Sequence, residues 1–256
     1  MKIATWNVNS VRARLERLLA WLERTQPDIV CLQELKGRQD VFPHEAIREA
    51  GYHAAVYGQR TFNGVAVLSR TEPTRVLRGL DDGVEDPQAR LLAVEVAGIQ
   101  VVSAYVPNGQ VVGSPAYAYK LDWLARLRAF LARHFAPKMP LVLCGDFNVA
   151  RDERDVANPE AWVETVLFHP TSRAALEELL TWGLSDVFRQ RHAEGGLYSW
   201  WDYRMLAFAK NDGLRLDYIF ATPPLARRCI GAEIDREERK GEKPSDHAPV
   251  IAEFDE

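Results

Sequence analysis

Apolar residues cluster in short runs at 2–6, 28–33, 64–69, 91–96, 100–106, 141–144, 217–221 and 249–254, each rich in Val, Ile, Leu or aromatics and bounded by Gly, Pro, Asn or Asp. This pattern predicts β-strands. Between the runs, Val11, Leu15, Leu18, Leu19 and Leu22 follow the i, i+4, i+7, i+8, i+11 spacing of an amphipathic helix, with Asn9 or Ser10 available as its N-cap. The spacing returns at Leu121, Leu124, Leu127 and Leu131, and more weakly at Leu176, Leu179 and Leu180. No repeat with a period of about 20–50 residues and no Gly/Ser- or Pro-rich linker divides the chain, which predicts one α/β domain over residues 1–256.

The strand ends carry polar residues in a pattern that constrains topology. Three runs finish on them: Ile3 to Trp6 on Asn7, Ile29 to Gln33 on Glu34, and Leu141 to Gly145 on Asp146. Two others begin on them, with Asp217 before Tyr218-Ile219-Phe220 and Asp246-His247 before Pro249-Val250-Ile251. If all five groups meet on one rim, three strands run towards it and two away, so the sheets are mixed. Continuous apolar runs mark strands buried on both faces. The expected fold is a four-layer α/β sandwich, two packed mixed β-sheets flanked by helices.

Composition supports a core of that size, with 47% hydrophobic and 27% charged residues, and excludes disorder and collagen-like repeats. Thirty-two Lys and Arg against 36 Asp and Glu give a net charge of −4. That excludes a globally basic nucleic-acid binder and leaves room for a locally basic one. Cys31, Cys144 and Cys229 are isolated from one another, which suits a reduced compartment better than a disulfide framework. The first residues read as a strand rather than a leader, and no apolar stretch reaches the roughly 18–20 residues of a membrane span. A cytoplasmic protein without a membrane partner is expected, a monomer by default.

Carboxylates gathered on one rim repel one another and normally hold a cation. Gly145-Asp146-Phe147-Asn148 sets an acid and an amide two residues apart, on one face if extended, where they can orient a water; the same letters also make a turn. Glu34 is a hard oxygen ligand suited to Mg²⁺ or Mn²⁺, or else an ordinary strand-end charge, and Lys36 is placed to meet a phosphate oxygen. Ser245-Asp246-His247 puts an acid beside a histidine, which as a neutral imidazole would act as a general base or a hydrogen-bond donor to a phosphoryl oxygen. Asp217 is its candidate partner, the alternative being a surface pair with Arg215. Tyr105 ends a strand, as core packing or as a hydroxyl in the site. There is no G-x-S-x-G, no G-x-x-x-x-G-K-[ST], no H-E-x-x-H and no strand-linked G-x-G-x-x-G. Metal-assisted attack of water on a phosphoester survives.

The ordered set N-x-N-S at 7–10, Q-E-L-K at 33–36, Y-V-P-N-G at 105–109, G-D-F-N at 145–148, S-W-W-D-Y-R at 199–204, G-L-R-L-D-Y at 213–218 and S-D-H-A-P-V at 245–250 resembles the exonuclease III family of abasic-site endonucleases, within the endonuclease/exonuclease/phosphatase superfamily. The resemblance implies an Mg²⁺-dependent DNA-repair phosphodiesterase, with Mn²⁺ as a substitute, that cuts double-stranded DNA 5′ to abasic sites and trims 3′ ends as an exonuclease or 3′-end-cleaning enzyme. By the same resemblance Glu34 is the principal metal ligand with Asn7 and Asp246 near it. Asp146 handles the proton of the attacking water or of the leaving oxygen. His247, held by Asp217, binds the scissile phosphate, and Asn148 and Tyr105 hold the water or the developing oxyanion. Trp200, Leu214 and Leu216 match positions that form an apolar pocket for a baseless deoxyribose. Of the adjacent tryptophans Trp200 is favoured over Trp201, because neighbours in a strand face opposite ways. One departure is Ser172, where the family pattern has a glutamate. Setting aside Glu34, Asp146, Asp217 and Asp246 leaves the remainder of the chain neutral, so the acidic balance does not argue against DNA.

Overall fold

The computed structural model describes residues 1–255. The chain lays down β1 (Lys2–Asn7), β2 (Ile29–Gln33), β3 (His53–Tyr57) and β4 (Val65–Ser69) in one sheet. It then builds β5 (Thr74–Arg78), β6 (Leu91–Val96), β7 (Ile99–Tyr105), β8 (Leu141–Asp146), β9 (Ser185–Asp186) and β10 (Asp217–Ala221) in a second, and returns to the first with β11 (Cys229–Ile234) and β12 (Val250–Phe254). Each sheet is six-stranded, in the orders β11-β12-β1-β2-β4-β3 and β5-β6-β7-β8-β10-β9. Pairing is parallel for β1 with β2 and for β7 with β8, and antiparallel for β1 with β12 and for β8 with β10. This is the mixed arrangement that the polar strand ends require.

The helices are α1 (Leu15–Thr25), α2 (His44–Glu49), α3 (Pro115–His134), α4 (Pro159–Trp162), α5 (Pro170–Leu180), α6 (Ala207–Lys210) and α7 (Pro223–Ala226). Alternation along the strands separates the cores. Ile3, Cys31, Val101, Val142, Cys144 and Ile219 meet between the sheets. Leu18, Trp21 and Leu22 of α1 cover the other face of the first sheet, and Leu124, Leu127 and Leu176 of α3 and α5 cover that of the second. Four layers result.

Two expectations change. The first helix starts at Leu15 after Arg14, with no side-chain cap, because Asn9 and Ser10 are held at positive φ and Val11 is buried ahead of the helix. Strands β3, β5, β9 and β11 escape the apolar-run criterion, since His53–Tyr57 is alanine-rich, Thr74–Arg78 faces solvent, Ser185–Asp186 is short, and Cys229–Ile234 is a bulged edge.

The second sheet encloses a buried ion cluster beneath the rim. Arg215 is fully buried, its Nε and Nη2 donating to Asp155 at 2.7 and 3.1 Å and its Nη2 also to Asp186 at 2.7 Å. Arg189 also pairs with Asp155, and Arg151 lies 3.2 Å from Asp186. Arg215→Met would leave two carboxylates short of a buried cation, and a loss of roughly 3–5 kcal/mol is expected in urea unfolding. Acid should act on the same cluster. Burial alone would raise the pKa of Asp186, but Arg215, Arg151 and the Arg189 amide bring it below the ordinary range. Such a carboxyl stabilises the fold above its unfolded value of about 3.9 and loses that contribution as pH falls through its folded value. Stability should therefore decline as pH falls below about 4, with a smaller decline in Arg215→Met; an identical acid limb in the variant would count against this cluster as its source.

Candidate active site

Register builds the site row by row. On the second sheet Tyr105 pairs with Asp146 and Asp146 with Asp217, so three strands present these side chains in one line. On the first, Asn7 pairs with Gln33, the residue before Glu34. The period-2 alternation that sends Val142 and Cys144 inward sends Asp146 inward as well, into the mouth of the sandwich. Gly145 permits the close approach of β8 to β7, since a Cβ there would collide with the Ala104 carbonyl.

His247 enters from the segment before β12 and lies between two acids of the opposite sheet. Its Nδ1 is 2.8 Å from Asp217 Oδ2, and its Nε2 is 3.6 Å from Asp146 Oδ2. Asn7 Nδ2 donates to Asp146 Oδ2 at 2.9 Å and to Glu34 Oε1 at 3.0 Å, and the Tyr105 hydroxyl donates to the same Glu34 oxygen at 2.7 Å. Glu34 Oε2 faces Lys36 Nζ at 2.9 Å. The Asn148 amide N–H closes on Asp146 Oδ1 at 2.9 Å. Glu34, Lys36 and Asn148 all hold φ near +50°, a region costly for residues with a Cβ and typical of functional segments.

Electrostatics follow from this packing. Burial opposes a charge on His247, but Asp217 and Asp146 outweigh it and push its pKa up to about 10. It is an imidazolium at neutral pH, in place of the neutral imidazole expected from sequence. Burial and the neighbouring Asp217 raise Asp146 to about 7, against the pull of His247, Asn7 and Asn148. Asp217 Oδ1 is buried without a hydrogen-bond partner. Asp146 and Asp217 bring carboxylate oxygens within 4.8 Å of one another and of the His247 ring, whose protonated nitrogens act as donors and not as metal ligands. With Glu34 linked to Asp146 through Asn7, this oxygen-rich set, including an orphaned carboxylate oxygen, fits a hard divalent cation.

The other sequence candidates fall around this centre. Asn7 points its amide N–H₂ at the carboxylates while its Oδ1 accepts from the Asn9 amide at 3.0 Å, so it sits here as a donor rather than an oxygen ligand. Asp246 accepts from Asn9 Nδ2 at 2.9 Å and Trp200 Nε1 at 3.1 Å. Trp200 is half-buried and Trp201 fully buried, in a segment that makes isolated bridges at Trp200 rather than the strand expected from sequence alternation. Leu214 and Leu216 are fully buried, packed with Val156, Val166 and Leu167 beneath Trp200 rather than open to a ligand. Arg215, read from sequence as a possible surface partner of Asp217, pairs inside with Asp155 and Asp186.

Sequence reasoning missed the supports. Ser199 Oγ donates to Asp217 Oδ2 at 2.7 Å, and Ser245 Oγ donates to the Asn7 carbonyl at 2.7 Å. Lys120 is fully buried, its Nζ donating to the carbonyls of Asn148, Val166 and Asn108 at 2.7, 2.8 and 3.0 Å. Burial draws its pKa down to about 7 against the attraction of Asp146; the three carbonyls also suit the three donors of an ammonium. A lysine on the apolar stripe of a helix was the signal available for it. Ser172, at the family's glutamate position, is buried against the Tyr117 hydroxyl and the Val166 carbonyl.

Comparison with known proteins agrees with this geometry. Residues 4–247 match the Endonuclease/Exonuclease/phosphatase family. Exodeoxyribonuclease III of Haemophilus influenzae is 35% identical over 266 residues, covering 99% of this chain and all of the relative. The chain belongs to the exonuclease III branch of this family. Membership carries the enzyme class, a nuclease hydrolase of the AP endonuclease type. The exonuclease III fold extends to solved structures covered end to end by this chain. An AP endonuclease from Archaeoglobus fulgidus superposes with a TM-score of 0.96 at 42% identity, and a 3′ phosphatase from Neisseria, bound to a product DNA hairpin, does so with 0.96 at 42%.

Lys120→Met should cost roughly 3 kcal/mol in urea unfolding, because buried carbonyls lose their donor. A cost under about 0.5 kcal/mol, the range of a surface substitution, would remove Lys120 from the support of this site.

Proposed function

We propose that the protein is an Mg²⁺-dependent DNA-repair phosphodiesterase that hydrolyses double-stranded DNA 5′ to abasic sites, with 3′→5′ exonuclease and 3′-end-cleaning activity. The observation that carries the reading is the inter-sheet row Asp146–His247–Asp217 joined to Glu34 through Asn7. We also infer that residues 1–256 act as one catalytic domain, as a monomer and in the cytoplasm, a compartment that suits three buried free thiols. No helix among the described residues is long and apolar enough to cross a membrane.

Glu34, with Asp246 nearby, would hold the cation. Bound there, it would supply charge stabilisation to the phosphate that the acids alone cannot. The imidazolium of His247 donates to a phosphoryl oxygen and offsets charge that builds there. Asp217 keeps that ring charged and oriented through Nδ1, and Ser199 fixes Asp217. A carboxyl whose pKa lies near 7 is suited to accept a proton at neutral pH, so Asp146 takes it from the attacking water. Asn148, anchored by Asn108 and the Val106 carbonyl, borders the same water position. Tyr105 and Lys36 flank Glu34 on either side, and Trp200 offers the apolar face beside them. The alkaline His247 leaves Asp146 as the better base.

A duplex carrying one tetrahydrofuran lesion and a recessed 3′ end should be nicked once, 5′ to the lesion, and trimmed from its end, with both products abolished by EDTA. Release of phosphate from small esters with no cut in this duplex would instead point to a phosphatase. Asp146→Asn and His247→Asn should each lower kcat by about 10²-fold or more while duplex binding persists. Rates near wild type would take those residues out of the mechanism.

A further inference from the structure

Arg90 is only 9% exposed, yet among the described residues it takes part in no ion pair. A buried cation without an acid partner is costly, and here it lies over the Tyr105 ring. The guanidinium carbon sits 4.7 Å from the centroid of the Tyr105 ring, and Nη1 donates to the Tyr105 carbonyl at 3.1 Å. The Tyr105 amide donates back to the Arg90 carbonyl at 2.8 Å. Tyr105 is thus held by ring, amide and carbonyl.

The contacts continue into a closed circuit around Glu34. Arg90 Nε donates to Gln88 Oε1 at 2.8 Å, and Asn63 Nδ2 reaches the same oxygen at 3.4 Å and Gln59 Oε1 at 3.0 Å. The carbonyls of Asn63 and Gly64 accept from the amides of Lys36 and Leu35 at 2.9 and 3.1 Å, bracing the turn that holds Glu34 and Lys36 at positive φ. The circuit closes where the Tyr105 hydroxyl meets Glu34. It therefore ties the Glu34 turn of the first sheet to the Tyr105 strand end of the second.

We propose that Arg90 is a positioning residue for the phosphodiester cleavage assigned above, fixing the Tyr105 hydroxyl on Glu34 and, through Gln88 and Asn63, the Glu34 turn itself. A cation over the ring face also makes the phenol a stronger donor to the carboxylate. The inference rests on the proposed cleavage reaction for its kinetic arm, and on the cation site for its binding arm.

The test is a double-mutant cycle on the lesion duplex with Arg90→Met, Arg90→Lys, Tyr105→Phe and the Arg90→Met/Tyr105→Phe pair, with folding followed by urea unfolding. Arg90→Met should lower kcat about tenfold with KM within about twofold. Arg90→Lys should fall between it and wild type. In the Tyr105→Phe background the Arg90→Met change should add less than about twofold, because the group it positions is gone. Without substrate, Mn²⁺ affinity read by paramagnetic resonance should fall about tenfold in Arg90→Met, as for a residue that orients a ligand. Wild-type kcat in Arg90→Met, or equal losses with and without the Tyr105 hydroxyl, would overturn the proposal. Should Arg90→Met not fold, Gln88→Leu withdraws the Nε acceptor from the outer side; it should lower kcat in the wild-type background alone, and a wild-type kcat would overturn the proposal. If the wild-type enzyme itself leaves the lesion duplex uncut, the reading of function fails, and the Mn²⁺ measurement still decides on Arg90.

Discussion

Two carboxylates at the mouth of the sandwich share one buried cation, and the rim is organised around that pairing. Asp146 and Asp217 come from neighbouring strands of one sheet, while His247 comes from the segment leading into β12 of the other. Neither acid could lose its water without the imidazolium between them, and the imidazolium could not be buried without the acids. The ion contact therefore works as an inter-sheet fastener as well as a piece of chemistry. It also explains why burial does not discharge His247, since Asp217 and Asp146 raise its pKa.

Around this centre, irregular backbone is held by hydrogen bonds from regular elements. The Glu34 turn is braced by the carbonyls of Asn63 and Gly64, the Asn148 turn by Lys120, and the 245–247 segment by Ser245 on β1. Backbone 199–201 bridges residues 214 and 246–248, bringing Trp200 up to Asp246. Positive φ at Glu34, Lys36 and Asn148 is stable because the surrounding contacts over-determine it. The outer layers contribute differently: α1 and α3 seal the sheets and leave the mouth at the strand ends.

Much of the fold was legible because burial on both faces writes strands as unbroken apolar runs. The runs at 28–33, 141–144 and 217–221 correspond to β2, β8 and β10 within one or two residues, and the polar residues at their ends led to the mixed pairing. The same criterion passed over β5 and β11, whose solvent-facing edge positions carry no run. The helix cap at Asn9 or Ser10 failed because local capping chemistry lost to a tertiary demand: Asn9 donates to Asp246 and accepts from Lys36 Nζ at 2.6 Å. Leu214 and Leu216 were apolar and near the site as read, but their burial under Trp200 depends on Val166 and Leu167, which arrive from a distant stretch of chain.

The sequence by itself determined which residue types stand at which strand ends, and hence the set Asn7, Glu34, Tyr105, Asp146, Asp217 and His247 and the kind of hard cation such a set suits. Side-chain alternation and strand direction are local properties, readable from period and from turn residues. Only the tertiary structure decided how those residues face one another: that His247 is charged rather than neutral, that Asn7 turns its donors inward, that Arg215 serves a buried ion cluster, and that Arg90 and Lys120 lie beneath the site. Those outcomes depend on distances between groups far apart in the chain and on how much water each has lost. Charge state and hydrogen-bond direction are set by that surrounding field and not by any local pattern.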